Sequence, residues 1–425
     1  ADGKVGETFW YRTFGLSCGE EMRFLFVDSQ YPMFDRASAE VRMFAIVQLL
    51  REQGHECDYF ASNISIAETH LGAAEVARYR EALHGLGVRT LERTGFEEVL
   101  AARRYDAVFF KYFYPAETGV GRVRIWQPWA RIVVDSVDLV YARLGAKAEL
   151  SKLAADYRVA EDTRRRELAT YAAADVVLTV TEDEAKVLAH ELPGLPIHVI
   201  PNIHDIPFQA RSETPFPSLL FIGAFTHEPN VDGVLWFVRE AWPSVHQAFP
   251  AARLRVVGGW PPAEIQALAK DGIEVLGFVP DTLPYLMESW VSVAPLRFGA
   301  GMKGKVGEAM AAGVPVLTTS FGAEGFGLTP GEHLLVADDP KAFADAVITL
   351  FNDRALRLAL GEAGRTFIQR NYSFEAVGAR LGLLVDTVEA LPNRPDTLGR
   401  RLYRIGRRVS LAFHRHLGWR IHKQQ

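Results

Sequence analysis

Lys303, Lys305 and Glu308 lie close together in the stretch 294–318, APLRFGAGMKGKVGEAMAAGVPVLT. They follow a loop, residues 298–304, that carries Gly299, Gly301 and Gly304. The pattern predicts a strand ending near Leu296, the loop, a helix over 303–312, and a further strand over 314–317. Gly313 and Pro315 stop the helix. Glycines let backbone approach a ligand closely, and the first turn of a helix offers unpaired N–H groups at the positive end of its dipole. Such a place suits an anion, phosphate above all. The two ammonium groups add full charges at the same end. Glu308 falls roughly 7.5 Å further along the axis at about 1.5 Å per residue. A carboxylate there is repelled by phosphate and accepts hydrogen bonds from two ribose hydroxyls. The spacing therefore suits one ligand with a diphosphate at the helix start and a hydroxyl-bearing ring beyond it. Gly304, Ala311 and Ala312 leave room around Glu308. A plain tight connection with solvent-facing lysines satisfies the same pattern, and the loop alone does not separate the two readings.

The elements that must position this stretch recur along the chain. Apolar runs at 22–28, 106–111, 131–135, 175–181 and 197–200 read as strands, with HECDYFA from His55 another and 87–90 a further one. Helical patterns fall between them, including 38–53, 68–83, 95–103, a long one over 150–173, and 182–190. Pro201, Pro207, Pro215 and Pro217 mark 201–217 as a linker. The alternation then restarts with strands at 218–223, 253–257, 273–276, 290–294, 314–319 and 334–336. Helices are expected over 232–249, 262–270 and 283–288, with three more near 340–351, 353–370 and 374–390. Strands alternating with helices imply parallel, doubly wound α/β sheets. Two such halves imply a cleft, with ligands beyond the carboxyl ends of the strands, where the 298–304 loop lies.

The chain has 425 residues, 48% hydrophobic and 23% charged, enough for two or three domains with sizeable cores. A net charge of -5 argues against nucleic acid as a partner. Two cysteines, Cys18 and Cys57, imply no disulfide framework and fit a reducing compartment. No apolar run is long enough to span a bilayer, and residues 1–21 read as an upstream tail without a signal-peptide core. From Arg400 to Gln425 there are eight Arg/Lys residues and no acid. Leu402, Ile405, Val409, Phe413 and Leu417 recur there at helical spacing. This basic amphipathic helix either lies on an anionic membrane surface or packs on the body with its basic face in solvent.

The second half resembles the retaining glycosyltransferases of family 4 (glycosyl transferases group 1), which have the GT-B fold of two Rossmann-like domains. The pieces are FIGAFTHEPNVDGVLWFVREAWP, LRVVGG, IEVLGFVPD, APLRFGAGMKGKVGEAMAAGVPV and HLLVADDPKAFADAV, in that order and spacing. DRASAEVR, DSVDLVYAR, LTVTEDE and VIPN extend the likeness more loosely through 22–205. The resemblance implies an N-terminal tail over 1–21 and an acceptor domain over 22–205. It further implies a nucleotide-sugar donor domain over 206–375, a closing helix and linker over 376–399, and the basic tail over 400–425.

The implied activity is transfer of a sugar from a nucleoside-diphosphate donor to a glycan or lipid-linked acceptor, with retained anomeric configuration, in cell-surface polysaccharide synthesis. A uridine diphosphate sugar is expected first and a guanosine diphosphate sugar second, with no other cofactor. Glu308 matches the second acid of the family's paired glutamates. The first falls at Ala300, so the usual contact to the transferred sugar is missing. The family's Arg and Lys after the domain's first strand are also absent; His227 and Asn230 stand there. Lys303 and Lys305 are the expected replacements, acting on the leaving diphosphate, with Arg297 close by.

Gly223, Gly299, Gly301, Met302 and Asn230 are further donor-side expectations. Gly277-Phe278-Val279 looks like the base-binding turn, and Glu324 either faces the donor sugar or sits in a surface loop. On the other wall, Asp35, Arg36, Ser38 and Arg42 are expected at the acceptor, although Asp35 or Ser38 capping a helix explains them equally. Asp138 falls near the family's polar residue beside the reacting carbon. Its spacing from Asp135 is not a metal-gripping Asp-x-Asp, so a metal-independent enzyme is expected. Tyr112, Phe113, Tyr114, Trp126 and Trp129 either stack on an acceptor sugar or belong to the core. The expected location is cytoplasmic, peripheral to the inner face of the membrane. A nucleotide-sugar epimerase and a non-catalytic nucleotide-sugar-binding or membrane-docking module remain the alternatives.

Overall fold

The computed structural model describes residues 20–36, 38–299, 302–392 and 394–408. Two wholly parallel sheets form its framework. The first holds β1 (Arg23–Asp28), β2 (Glu56–Ala61), β3 (Arg89–Glu92), β4 (Ala107–Lys111), β5 (Arg131–Asp135), β6 (Val176–Thr179) and β7 (Ile197–Val199), in the order β3-β2-β1-β4-β5-β6-β7. The second holds β8 (Ser218–Ile222), β9 (Arg253–Val257), β10 (Ile273–Gly277), β11 (Val291–Ala294), β12 (Val316–Thr318) and β13 (Leu335–Val336), in the order β10-β9-β8-β11-β12-β13. Each central strand is covered on both faces. In the first sheet Leu25, Val108, Ile132 and Val177 face one apolar layer while Phe26, Phe109, Val133 and Leu178 face the other. This two-sided burial explains why these strands read as continuous apolar runs. In each sheet the chain winds outward one way, then restarts on the other side of its first strand. The crevice between β8 and β11 is therefore a switch point.

Several helices differ from the sequence expectation. The long pattern over 150–173 is two helices, Val140–Ser151 and Ala154–Ala172, because Lys152 turns left-handed at φ 58°. Gly72, at φ 87°, divides the 68–83 pattern into Ile64–Leu71 and Ala73–Gly85. The 232–249 pattern is Glu228–Trp236, a wide π turn at Phe237–Ala241, and Trp242–Ala248 with Pro243 in its first turn. An unexpected helix, Phe113–Trp126, places Phe113 and Trp126 in the core and leaves Tyr114 half exposed.

The chain crosses between the halves twice. The 200–217 segment leads into the second half. The helix Phe374–Ala390 then returns, burying Val377, Leu381, Leu384, Val385 and Val388 in the first half's apolar layer. It packs on the helix Ser38–Glu52, where Gln53 Nε2 donates to the Gly378 carbonyl at 3.1 Å. The two crossings lie side by side. His204 N–H donates to the Tyr372 carbonyl at 2.8 Å, and Phe374 N–H donates to Asp205 at 3.1 Å.

Candidate active site

The helix Gly304–Ala311 begins directly beyond β11. Its sequence alternates small and apolar residues, so it can sit deep against the sheet. Val306, Ala309 and Met310 are buried, and Glu308 is half-buried on its cleft side. Lys305 leans across the β8–β11 crevice. Its Nζ donates to Asn230 Oδ1 at 2.9 Å and lies 5.6 Å from the centre of the Phe221 ring. Asn230 is held for this by a bond from Nδ2 to the Ala224 carbonyl at 2.7 Å. Gly223 makes the room, since a Cβ there would come 2.8 Å from Asn230 Nδ2.

Among the described residues no carboxylate forms an ion pair with Lys305. Burial pushes its ammonium down to about 8, with Lys303 adding repulsion and Glu308 opposing it. Lys303 is buried and also lowered, chiefly by desolvation, against the attraction of Glu324 at 3.4 Å. Two ammonium groups at one helix start, Lys303 buried and Lys305 half-buried, can attract an anion.

Glu308 accepts a hydrogen bond from the Thr282 hydroxyl, and burial raises its carboxyl pKa. Thr282 anchors the far end of the turn that begins with Gly277 and Phe278. Phe278 is 50% exposed and Trp260, just beyond β9, is 55% exposed. The Arg36 guanidinium from the first half reaches over both rings, 5.1 Å and 6.0 Å from their centres. The same arginine donates to the Tyr79 hydroxyl at 2.7 Å. Val279 is partly buried against the apolar layer behind the turn. Phe278 and Trp260 are thus two exposed rings that share one guanidinium, at strand ends near the Thr282–Glu308 contact.

The first half supplies the opposite wall. Ser38 opens its helix directly against Gly304, where a Cβ would meet Ser38 Oγ at 1.8 Å. Gly307 is similarly constrained, because a Cβ there would come 2.3 Å from the His204 ring. Burial pushes His204 down to about 4, and its Nε2 has no hydrogen-bond partner among the described residues.

Asp138 follows β5 and accepts from Arg143 Nε at 2.7 Å, close enough to act on the Lys303 charge. It stands one residue after Val137, whose φ of 63° is costly for a β-branched side chain. Two buried glutamates hold the turn that follows: Glu184 accepts from Leu139 N–H at 3.1 Å. Glu167 accepts from Val140 and Tyr141 N–H at 3.1 and 2.9 Å. Burial raises both to about 7. Lys147 reaches the facing Glu228 at 2.8 Å.

The remaining expected residues are distributed as follows. Arg297 turns away from the crevice and forms a two-pronged pair with Asp232, so its charge is already matched. Arg42 is corrected from an acceptor contact to a buried strut. It is 1% exposed, with Nη1 on Asp135 at 2.5 Å and Nε on the Ile200 carbonyl at 2.8 Å. Asp35 is occupied by Arg78 at 2.6 Å and Tyr79 at 2.9 Å. Met302 is buried beside the helix start, Gly299 adopts φ 149°, and Glu324 is exposed at the rim. Ala300 and Gly301, the 1–19 tail, Cys18 and residues 409–425 lie outside the described residues. Trp260, Thr282, Asp232 and His204 were not singled out by the sequence. Trp260 alone left a signal there, as an aromatic directly after the Gly-Gly that ends a strand.

Residues 216–353 match the sequence pattern of the family described as Glycosyl transferases group 1. An uncharacterized 44.6 kDa protein in the cps region of Klebsiella pneumoniae is 27% identical over 214 residues, 48% of this chain and 54% of that protein. A GDP-mannose-dependent monoacylated alpha-(1-6)-phosphatidylinositol monomannoside mannosyltransferase of Corynebacterium glutamicum is 31% identical over 155 residues, 33% of this chain and 41% of that one. The chain thus matches about half, or less, of the length of these relatives. Among solved structures, a sucrose-phosphate synthase from Thermosynechococcus elongatus superposes with a TM-score of 0.64 at 17% identity. The match covers 87% of this chain and 100% of that one. Anabaena HepE in complex with UDP and glucose superposes with a TM-score of 0.62 at 15% identity, over the same shares. Residues 216–353 thus carry the glycosyl transferases group 1 pattern, and the chain has the GT-B fold.

Proposed function

We propose that the protein moves a glycosyl group from a nucleoside-diphosphate sugar to a glycan or lipid-linked glycan. The transfer retains anomeric configuration, needs no metal ion, and serves cell-surface polysaccharide synthesis at a membrane surface. The observation that carries this reading is Lys305: a half-buried ammonium at the switch point, hydrogen-bonded to a neutral amide. A half-buried cation hydrogen-bonded to an amide favours an anionic ligand, and the adjoining helix start and Lys303 enlarge the same field.

In this reading the bond between the sugar's anomeric carbon and the diphosphate breaks, and its electron pair leaves on the phosphate oxygen. Lys303, Lys305 and the helix N–H groups stabilise that growing charge without rearranging. The acceptor oxygen forms the new bond on the same face of the sugar, and its proton passes to the departing phosphate oxygen. Glu308 takes the ribose hydroxyls, and the base lies against Phe278 and Trp260. Asp138, beside Lys303 and Arg143, faces the transferred sugar. Uridine is the first base to test, as in the HepE complex, and guanosine the second, as for the mannosyltransferase relative.

A thermal-shift panel of nucleoside diphosphates and their sugars identifies the base, because stabilisation follows affinity by mass action. Incubating the selected donor with glycan and lipid-linked acceptors then tests transfer. Conversion of donor alone to an isomeric nucleotide sugar would show an epimerase instead. Binding without turnover on every acceptor would show a binding module.

A further inference from the structure

Residues 398–408 form a helix docked on the first half by the wrong face for a soluble surface. Its inward edge is Arg400, Arg404 and Arg407. Arg404 is buried, donating to the Ile125 carbonyl at 2.8 Å and to Asp396 at 2.5 Å, and Arg407 pairs with Glu97 at 2.6 Å. Its outward edge is Leu398, Leu402 and Ile405, spaced i, i+4, i+7, at 72%, 60% and 60% exposure, with Tyr403 beside them. An amphipathic helix on a protein surface ordinarily turns its apolar stripe inward. Here the charged edge anchors the helix and the apolar edge is left facing out.

The surrounding charge is predominantly positive. Residues 394–408 contain six arginines and a single acid, Asp396, and 409–425 add Arg415, Arg420 and Lys423 without an acid. Arg408 is exposed on this helix, and Arg401, also exposed, pairs with Asp396 at 3.1 Å. Arg394 shares Asp175 with Arg124, and Arg394 and Arg400 both repel the Arg124 guanidinium. An apolar ridge beside an excess of cations complements a surface that is anionic outside and apolar beneath.

We propose that the ridge Leu398–Leu402–Ile405 inserts into the headgroup layer of an anionic bilayer, with Arg408 on lipid phosphate. This deepens the reading of a transferase at a membrane by naming the surface that docks. It would orient the first half toward the lipid, and it makes the helix an anchor lying on the membrane.

The test is flotation of the full chain with phosphatidylglycerol-containing vesicles and with phosphatidylcholine vesicles. The expected result is binding to the anionic vesicles only, weakening as salt rises. The double variant Leu402→Glu/Ile405→Glu should reduce that binding about tenfold or more, while thermal stability and nucleotide-induced stabilisation stay unchanged. Undiminished binding of the double variant overturns the proposal, as does equal binding to neutral vesicles or none at all. A wild-type dimer in solution that the double variant dissociates also overturns it, because a second copy would then cover the ridge. None of these outcomes bears on sugar transfer, which the nucleotide panel and the acceptor assay read separately.

Discussion

Replacing Lys305 by Met removes one half-buried ammonium while keeping a linear side chain against Phe221. A hydrogen bond to a charged group contributes about 1.5–3 kcal/mol, so nucleoside-diphosphate affinity should fall about 10- to 150-fold. The structure adds a second signature. With Lys305 poised at about 8, the ammonium that the diphosphate requires is lost as pH rises through that value. If only the protonated form binds, affinity for the nucleotide sugar should fall about tenfold between pH 7 and pH 9. The esterified diphosphate of a nucleotide sugar has no proton to lose there, so the slope belongs to the protein. Isothermal titration of the sugar selected by the panel, at several pH values, measures both effects. In the Met variant the slope should shrink along with the affinity. Unchanged affinity in the variant, or a wild-type affinity flat from pH 7 to 9, refutes the assignment of Lys305 to the diphosphate.

Three further outcomes are expected. Arg42→Ala strands the buried Asp135 carboxylate and should cost about 3–5 kcal/mol in urea unfolding, with nucleotide affinity of the folded protein unchanged. Gly304→Ala should weaken nucleotide binding by forcing the helix start off Ser38, and Ser38→Gly in the same chain should restore it; titration of both variants checks this. His204 is held neutral down to about 4, so protons favour the unfolded chain, where its pKa is near 6.5. Stability at neutral pH should therefore drop by about 3 kcal/mol from this group as pH falls from 6.5 to 4. Melting curves should show a shallower acid slope in His204→Gln than in the wild type.

The alternation of apolar runs and helical patterns was enough to read both sheets, because strands buried on both faces leave an unbroken apolar signature. The Gly-rich loop and its lysines were legible for a similar local reason: glycine, lysine and glutamate at those spacings constrain the chemistry of a helix start. Helix breaks were harder. Lys152 and Val137 take positive φ without being glycine, so nothing in their identity announces the turn. Arg42 and Arg297 show the other limit. An arginine near a strand end looks alike in sequence whether it faces a ligand or a carboxylate. Only the fold brings Asp135 to the one and Asp232 to the other, from 93 and 65 positions away in the chain. Trp260 and Phe278 follow separate strands and come under one guanidinium only once β9 and β10 lie side by side.

The double crossing between the halves carries a mechanical consequence. With the 204–205 and 372–374 backbones tied together by the His204–Tyr372 and Asp205–Phe374 bonds, the paired segments define a single axis. Sliding or twisting would have to shear those bonds, whereas bending about the axis leaves them intact. Parting the two halves would then bend the paired segments, with Ser38 lifting from Gly304. A proline placed in either crossing segment would change the rate of that bending without touching any group that meets the substrate.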